Sequence, residues 1–236
     1  VFEGALGTML QSAVPGNVPP ELMTLEHPGQ VVAVHEAYVG LSDVICTNTF
    51  GANAVKLDAV GMSGRARELN EVAARLARDA VASGAGSALV AGDMGPTGRM
   101  VEPLGELSFG DAYGAFREQA EALAEGGVDF LLVETMSDLR EAKAALLAAR
   151  ESTGMPVIVT MTFGENYATP TGTDPATAAN VLASMGAFAV GANCSTGPSR
   201  MVEVVGRMAQ TVSAPILAQP NAGIPELIDG RTVFGV

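Results

Sequence analysis

Seven short stretches of this 236-residue sequence place polar or ionisable side chains at the end of an apolar run. They are Glu3-Gly4, Thr47-Asn48-Thr49, Asp93, Glu134-Thr135, Thr160-Met161-Thr162, Asn193-Cys194-Ser195 and Gln219-Pro220-Asn221. Glu134 closes the run Phe130-Leu131-Leu132-Val133, where a charge needs a partner or a ligand to offset its desolvation. That partner can be Arg140 or Lys143 in a structural ion pair, or the ammonium group of a substrate. Cys194 is the candidate nucleophile or metal ligand, because a thiolate is both a strong nucleophile and a soft donor. Cys46 lies inside an apolar run and reads as a small core hydrophobe. Neither His27 nor His35 falls at the end of a run, so both read as surface or helix-packing residues, and a Cys–His hydrolytic dyad is poorly supported. The segment Gly92-Asp93-Met94-Gly95-Pro96-Thr97-Gly98 could cradle an anion, but it lacks the Lys and Ser/Thr of a P-loop and reads equally well as a tight turn.

The elements that must position these residues are legible from periodicity. Ser42 to Thr47, Ser87 to Gly92, Val128 to Glu134, Pro156 to Thr162, Ala187 to Cys194 and Pro215 to Gln219 are mostly apolar or β-branched, as strands buried on both faces should be. Between them, Leu69, Val72, Ala73, Leu76, Ala77, Ala80 and Val81 mark one face of a helix, and Leu139, Ala142, Leu146 and Ala149 mark another. Asp138 with Glu141 suits a capping box, and Asp174-Pro175 and Gly197-Pro198 place proline at a first helical position. Glycines at 84, 126, 127, 154 and 186 fall where each helix should stop. With a short strand at Val1-Phe2-Glu3, seven βα units or parts of them follow one another. A doubly wound open sheet is the alternative, but the near-constant repeat without a nucleotide-type Gly-rich turn after the first strand favours an α/β (β/α)8 TIM barrel, truncated before its eighth strand, with chemistry at the C-terminal ends of the strands.

Composition narrows the partners. A net charge of −13 and a pI near 4.5 argue against nucleic acid, since nothing could neutralise a row of phosphates. Hydrophobic residues at 48% support a large core, yet no apolar run approaches the roughly 20 residues of a membrane span, so a soluble protein is expected. Two cysteines make no disulfide framework, and a reducing cytoplasm is the expected setting. The chain opens at Val1 without an initiator Met and stops at Val236 without a closing helix, which reads as a fragment.

In order along the chain, Glu3-Gly4-Ala5-Leu6-Gly7-Thr8-Met9-Leu10-Gln11, Thr47-Asn48-Thr49-Phe50-Gly51-Ala52-Asn53, Glu134-Thr135-Met136, Gly172-Thr173-Asp174-Pro175, Gly191-Ala192-Asn193-Cys194-Ser195 and Gln219-Pro220-Asn221-Ala222-Gly223 resemble the homocysteine S-methyltransferase family. The likeness is greatest to the N-terminal homocysteine-binding domain of cobalamin-dependent methionine synthases, which Leu104 to Phe109 and Glu118 to Leu123 also resemble. The resemblance implies one homocysteine-binding barrel domain over 1–236, its C-terminal end missing. It implies a zinc ion held by three thiolates, of which Cys194 matches the first; the other two belong to a Gly-Gly-Cys-Cys segment absent from this sequence. Asn221 matches a residue that can fill the fourth zinc position, and Glu134, Asn48 and the Glu3-Gly4 turn match or adjoin the groups that hold the amino-acid end of homocysteine. The family usually carries Asp where Glu3 stands. Methylcobalamin, charged from 5-methyltetrahydrofolate and carried by another domain or protein, is the implied methyl donor. S-methylmethionine or betaine, used by a stand-alone enzyme, is the alternative within the family, and a non-catalytic module binding an amino acid or a corrinoid protein is the alternative outside catalysis.

Overall fold

In the computed structural model the described residues are 1–13, 18–84, 87–194, 197–221, 225–228 and 231–234. Six parallel strands lie in sequence order: β1 (Val44–Cys46), β2 (Leu89–Met94), β3 (Phe130–Met136), β4 (Val157–Met161), β5 (Ala189–Asn193) and β6 (Ile216–Gln219). The expected first strand is reduced to one parallel bridge, Phe2 with Val44, reinforced by the Glu3 N–H donating to the Val44 carbonyl at 3.0 Å. The result is a curled half-barrel of parallel strands, the architecture expected of a TIM barrel without its closing strand.

Helices α1 (Leu6–Ala13), α2 (Met23–Glu26), α3 (Pro28–Tyr38), α4 (Ala54–Asp58), α5 (Ala66–Ser83), α6 (Phe109–Glu125), α7 (Leu139–Thr153), α8 (Pro175–Ser184) and α9 (Pro198–Ala209) connect the strands. Their caps follow local chemistry. The Asp174 side chain accepts the N–H groups of Ala176 and Thr177 ahead of Pro175, and α7 ends at Gly154 in the left-handed conformation. Asp138 caps α7 through the Arg140 N–H, but the capping box does not close. Glu141 is instead drawn to the loop after β2, where it accepts from the N–H and hydroxyl of Thr97. With the Asp93 N–H bound to Thr47 Oγ1 and the Gly95 N–H to the Phe50 carbonyl, amides at 93, 95 and 97 of the Gly92–Gly98 segment are spent within the protein, as a tight turn requires.

The two-residue period of the strands sorts side chains to two faces. Ile45, Val90, Leu131, Val133, Val157, Val159 and Val190 join the large core beneath the helices, whereas Val44, Ala91 and Leu132 pack with Phe2, Cys46, Phe130, Ile158 and Leu217 inside the curl. Extending the inner rows by two residues leads from Ala91 to Asp93, from Leu132 to Glu134 and from Leu217 to Gln219. Beyond β6 the chain forms an antiparallel hairpin, β7 (Pro225–Ile228) with β8 (Arg231–Phe234), which the periodicity did not anticipate. No described helix is long and apolar enough to cross a membrane.

Candidate active site

The inner rows and the start of α1 enclose a cleft of about 520 Å³. Glu3, Gly4, Cys46, Asn48, Asp93, Glu134, Thr135, Asn193, Cys194 and Gln219 all line it. Five of the six residues expected to act in binding or catalysis are therefore gathered in one place. The sixth, Asn221, is half-buried just past Gln219-Pro220 and is not part of the lining. Ser195, Ala222 and Gly223 of the family-like segments lie outside the described residues.

Glu3 is held from behind. Its Oε1 accepts the Cys46 N–H at 2.8 Å, and its Oε2 stands 3.6 Å from Nδ1 of His35 on α3, with both side chains buried. His35 is thus no surface residue; it packs in the helix layer directly against the carboxylate. Gly4 follows, and a Cβ there would lie 2.6 Å from the Tyr38 hydroxyl, so a side chain at this point would have to displace the end of Tyr38. Asn48 donates to the Pro20 carbonyl at 2.6 Å and to Thr24 Oγ1 at 3.1 Å, which spends both amide hydrogens and leaves its carbonyl oxygen for a ligand.

Asp93 sits inside β2 rather than beyond it, because the strand runs to Met94. Its main-chain N–H donates to Thr47 Oγ1 at 3.0 Å, and its carbonyl accepts from Thr49 Oγ1 at 2.6 Å. The two threonine hydroxyls bond each other at 2.5 Å, so both hydroxyl protons are committed. The Asp93 side chain is not so anchored: its Oδ1 is buried and unpartnered.

Glu134 and Thr135 also fall within a strand, since β3 continues to Met136, but the register with β4 slips between Val133 and Met136. A bulge of this kind re-aims side chains at the mouth of a barrel. Thr135 takes φ 59° and Cys194 takes φ 58°, both in the left-handed region that non-glycine residues seldom occupy. Asn193 ties the two together. Its Oδ1 accepts from the Thr135 N–H at 3.0 Å and from Thr160 Oγ1 at 2.9 Å, while its Nδ2 donates to Thr135 Oγ1 at 2.7 Å and to Cys194 Sγ at 3.6 Å. Asn193 is a positioning residue that sequence reasoning recognised as polar but gave no role.

The cleft is acidic, and burial makes that acidity costly. Glu134 has no ion pair with Arg140 or Lys143 among the described residues, and its carboxyl is pushed up to about 7 by burial and then by the Glu3 charge. The Asp93 carboxyl is raised well above the usual range by burial, then by Glu134, Glu21 and Glu3, with Lys56 opposing. Cys46 lines the cleft as well as packing in the curl, and burial followed by Glu3, Asp93 and Glu134 raises its thiol far up. Burial and Glu134 raise Cys194 too, against the Thr135 hydroxyl. At neutral pH both thiols are therefore protonated unless a positive charge is supplied. Among the described residues no group of three or more His, Cys, Asp or Glu side chains could hold a metal ion. Cys194 offers one soft donor, and one thiolate does not hold catalytic zinc, so the residues present do not by themselves fit the ion.

Comparison with known proteins gives the family and the fold. A sequence model of the homocysteine S-methyltransferase family matches residues 1–234. The methionine synthase of Mycobacterium tuberculosis is 30% identical over 245 residues, covering 96% of this chain and 20% of that protein, and the methionine synthase of Mycobacterium leprae matches to the same extent. The chain thus spans about a fifth of the length of these relatives. The metallated form of the homocysteine methyltransferase MmuM from Escherichia coli superposes with a TM-score of 0.77 at 22% identity, over 90% of this chain and 80% of that one. Its oxidised form gives 0.78 at 23%, over 93% and 81%. At these identities the structures establish the barrel fold.

Proposed function

The chain belongs to the homocysteine S-methyltransferase family, and from that premise we propose that its cleft binds homocysteine and presents the sulfur for methylation to methionine. The observation that carries the reading is that Glu3, Glu134 and Cys194 line one cleft. Glu3 and Glu134 accept hydrogen bonds from the substrate ammonium, and the tight Gly4 turn lets the backbone approach the amino-acid end. The ammonium supplies the positive charge that a buried pair of carboxylates requires, and it favours ionised Glu134. The substrate sulfur then lies toward Cys194, on the far wall.

Methyl transfer needs a thiolate, because a thiol is weakly nucleophilic and unperturbed thiols titrate near about 8.5. The sulfur–methyl bond forms as the bond from methyl to donor breaks, the donor leaving with the electron pair. The cleft's own carboxylates oppose the thiolate, which is an argument for a cation at the site. Zinc is the cation that the family likeness implies for that role; Cys194 and Asn221 would be the ligands these residues contribute, and by themselves they do not complete its site. When bound, zinc stabilises thiolates at neutral pH. The likeness to methionine synthases favours methylcobalamin as donor, carried by another domain or protein.

Zinc content and L-homocysteine affinity of the full-length protein test the assignment. Stoichiometric zinc that is lost on Cys194→Ala is the expected result; a zinc-free full-length protein that still methylates homocysteine refutes it. Turnover with methylcobalamin, but not with S-methylmethionine or betaine, is expected in the same preparation.

A further inference from the structure

The same cleft holds one buried acid that the binding of an ammonium does not use. Asp93 projects from β2 into the cleft with Oδ1 buried and unpartnered, and the residue is only 7% exposed. Among the described residues no Lys, Arg or His side chain lines the cleft. Lys56 stacks on the Phe50 ring, 4.7 Å from its centroid, and is not part of the lining. An amino acid bound there brings a carboxylate as well as an ammonium, and that carboxylate has to be met by neutral donors. Several are already spent: the Asn48 amide on Pro20 and Thr24, the Asn193 amide on Thr135 and Cys194, the Thr47 hydroxyl on Thr49 and the Thr49 hydroxyl on the Asp93 carbonyl.

We propose that Asp93 is a specificity-determining residue that carries its own proton and donates it in a hydrogen bond to the carboxylate of the bound amino acid. Burial first, and then three acids, Glu134, Glu21 and Glu3, push the Asp93 carboxyl well above the usual carboxylate range, with Lys56 as the opposing cation, so the protonated form is favoured there. The arriving carboxylate adds to that bias, because a second anion beside Asp93 favours its protonated form further. An ammonium beside it would do the opposite. The cleft then reads both ends of the zwitterion with carboxyl groups, ionised ones for the ammonium and a neutral one for the carboxylate.

This inference rests on the homocysteine reading, and a thioether ligand separates the two. L-methionine has no ionisable sulfur proton, so its affinity, measured by calorimetry at pH 7 in the full-length protein, reports the amino-acid end alone. Asp93→Ala is expected to weaken methionine binding by about tenfold or more, the loss of one hydrogen bond to a charged group. Asp93→Asn, which keeps a donor of the same shape without a charge, is expected to restore binding to within about threefold of the parent. If Asp93→Asn is as weak as Asp93→Ala, the anion is what matters and the proposal falls. It falls equally if neither variant changes affinity. Carbon-13 labelling of the aspartate carboxyls gives a readout that needs no variant: with methionine bound at pH 7, one aspartate signal is expected at the neutral-acid position, and only carboxylate signals would overturn the assignment. A parent protein that binds neither methionine nor homocysteine refutes the homocysteine reading itself, and the role of Asp93 with it.

Discussion

Glu134 shows how one side chain can be tuned for a ligand at the expense of the empty protein. Its carboxyl, pushed up to about 7, binds its proton more tightly when folded than when unfolded. A raised folded-state value means that its contribution to stability is fully present below the unfolded value and is lost as pH rises through about 7. Glu134→Gln removes this dependence. The variant should match the parent near pH 4 and exceed it at pH 8 by about 2 to 3 kcal/mol in denaturant unfolding. The same change should weaken homocysteine binding by tenfold or more, because the ammonium loses an ionised acceptor. Affinity of the parent should rise with pH through about 7 as Glu134 ionises. Equal stability at both pH values, with unchanged affinity, would remove Glu134 from the site.

The elements present these residues through strand periodicity, and most of that was legible in advance. Apolar runs located the six parallel strands to within two or three residues, and their polar ends located Glu3, Asn48, Glu134 and Cys194 in one mouth. Three features were not legible, each because it depends on a partner remote in sequence. The bulge at Glu134-Thr135 arises from pairing with β4, the burial of His35 from its packing against Glu3, and the Asn193 network from three different strands. Glu141 shows the same limit, since a local capping signal lost to Thr97 in another loop. Backbone approach matters as much as side-chain choice at β5. A Cβ on Gly191 would fall 2.0 Å from the Leu217 carbonyl oxygen of β6. Gly191→Ala should therefore part β5 from β6 and cost about 3 kcal/mol or more. Gly206, on α9 with no atom within 4 Å of its Cβ position, offers the control, because Gly206→Ala should be neutral or slightly stabilising.

At the scale of the whole molecule, the sheet is an open curl, and among the described residues β6 has a strand neighbour on one side only. Ala218 is exposed in the middle of that strand. Unpaired strand edges template association, and a lysine at such a position blunts them. These 236 residues should accordingly self-associate in sedimentation at tens of micromolar, and Ala218→Lys should shift the distribution toward monomer. A strictly monomeric parent would show that the edge is already covered.

The cleft is also a record of the order in which the molecule is completed. Glu3 is held by an amide at residue 46 through a strand reduced to one bridge, and Cys194 is set by the carbonyl of residue 219. The site therefore draws on both ends of the sheet, and it closes only when long-range contacts have formed, Glu3 with Cys46 across 43 residues and Thr135 with Asn193 across 58. Such contacts are the slow ones in folding. Ligand binding would then count finished molecules: a chain that has made its helices and central strands, and looks folded by circular dichroism, still cannot hold an amino acid until its first three residues have found β1.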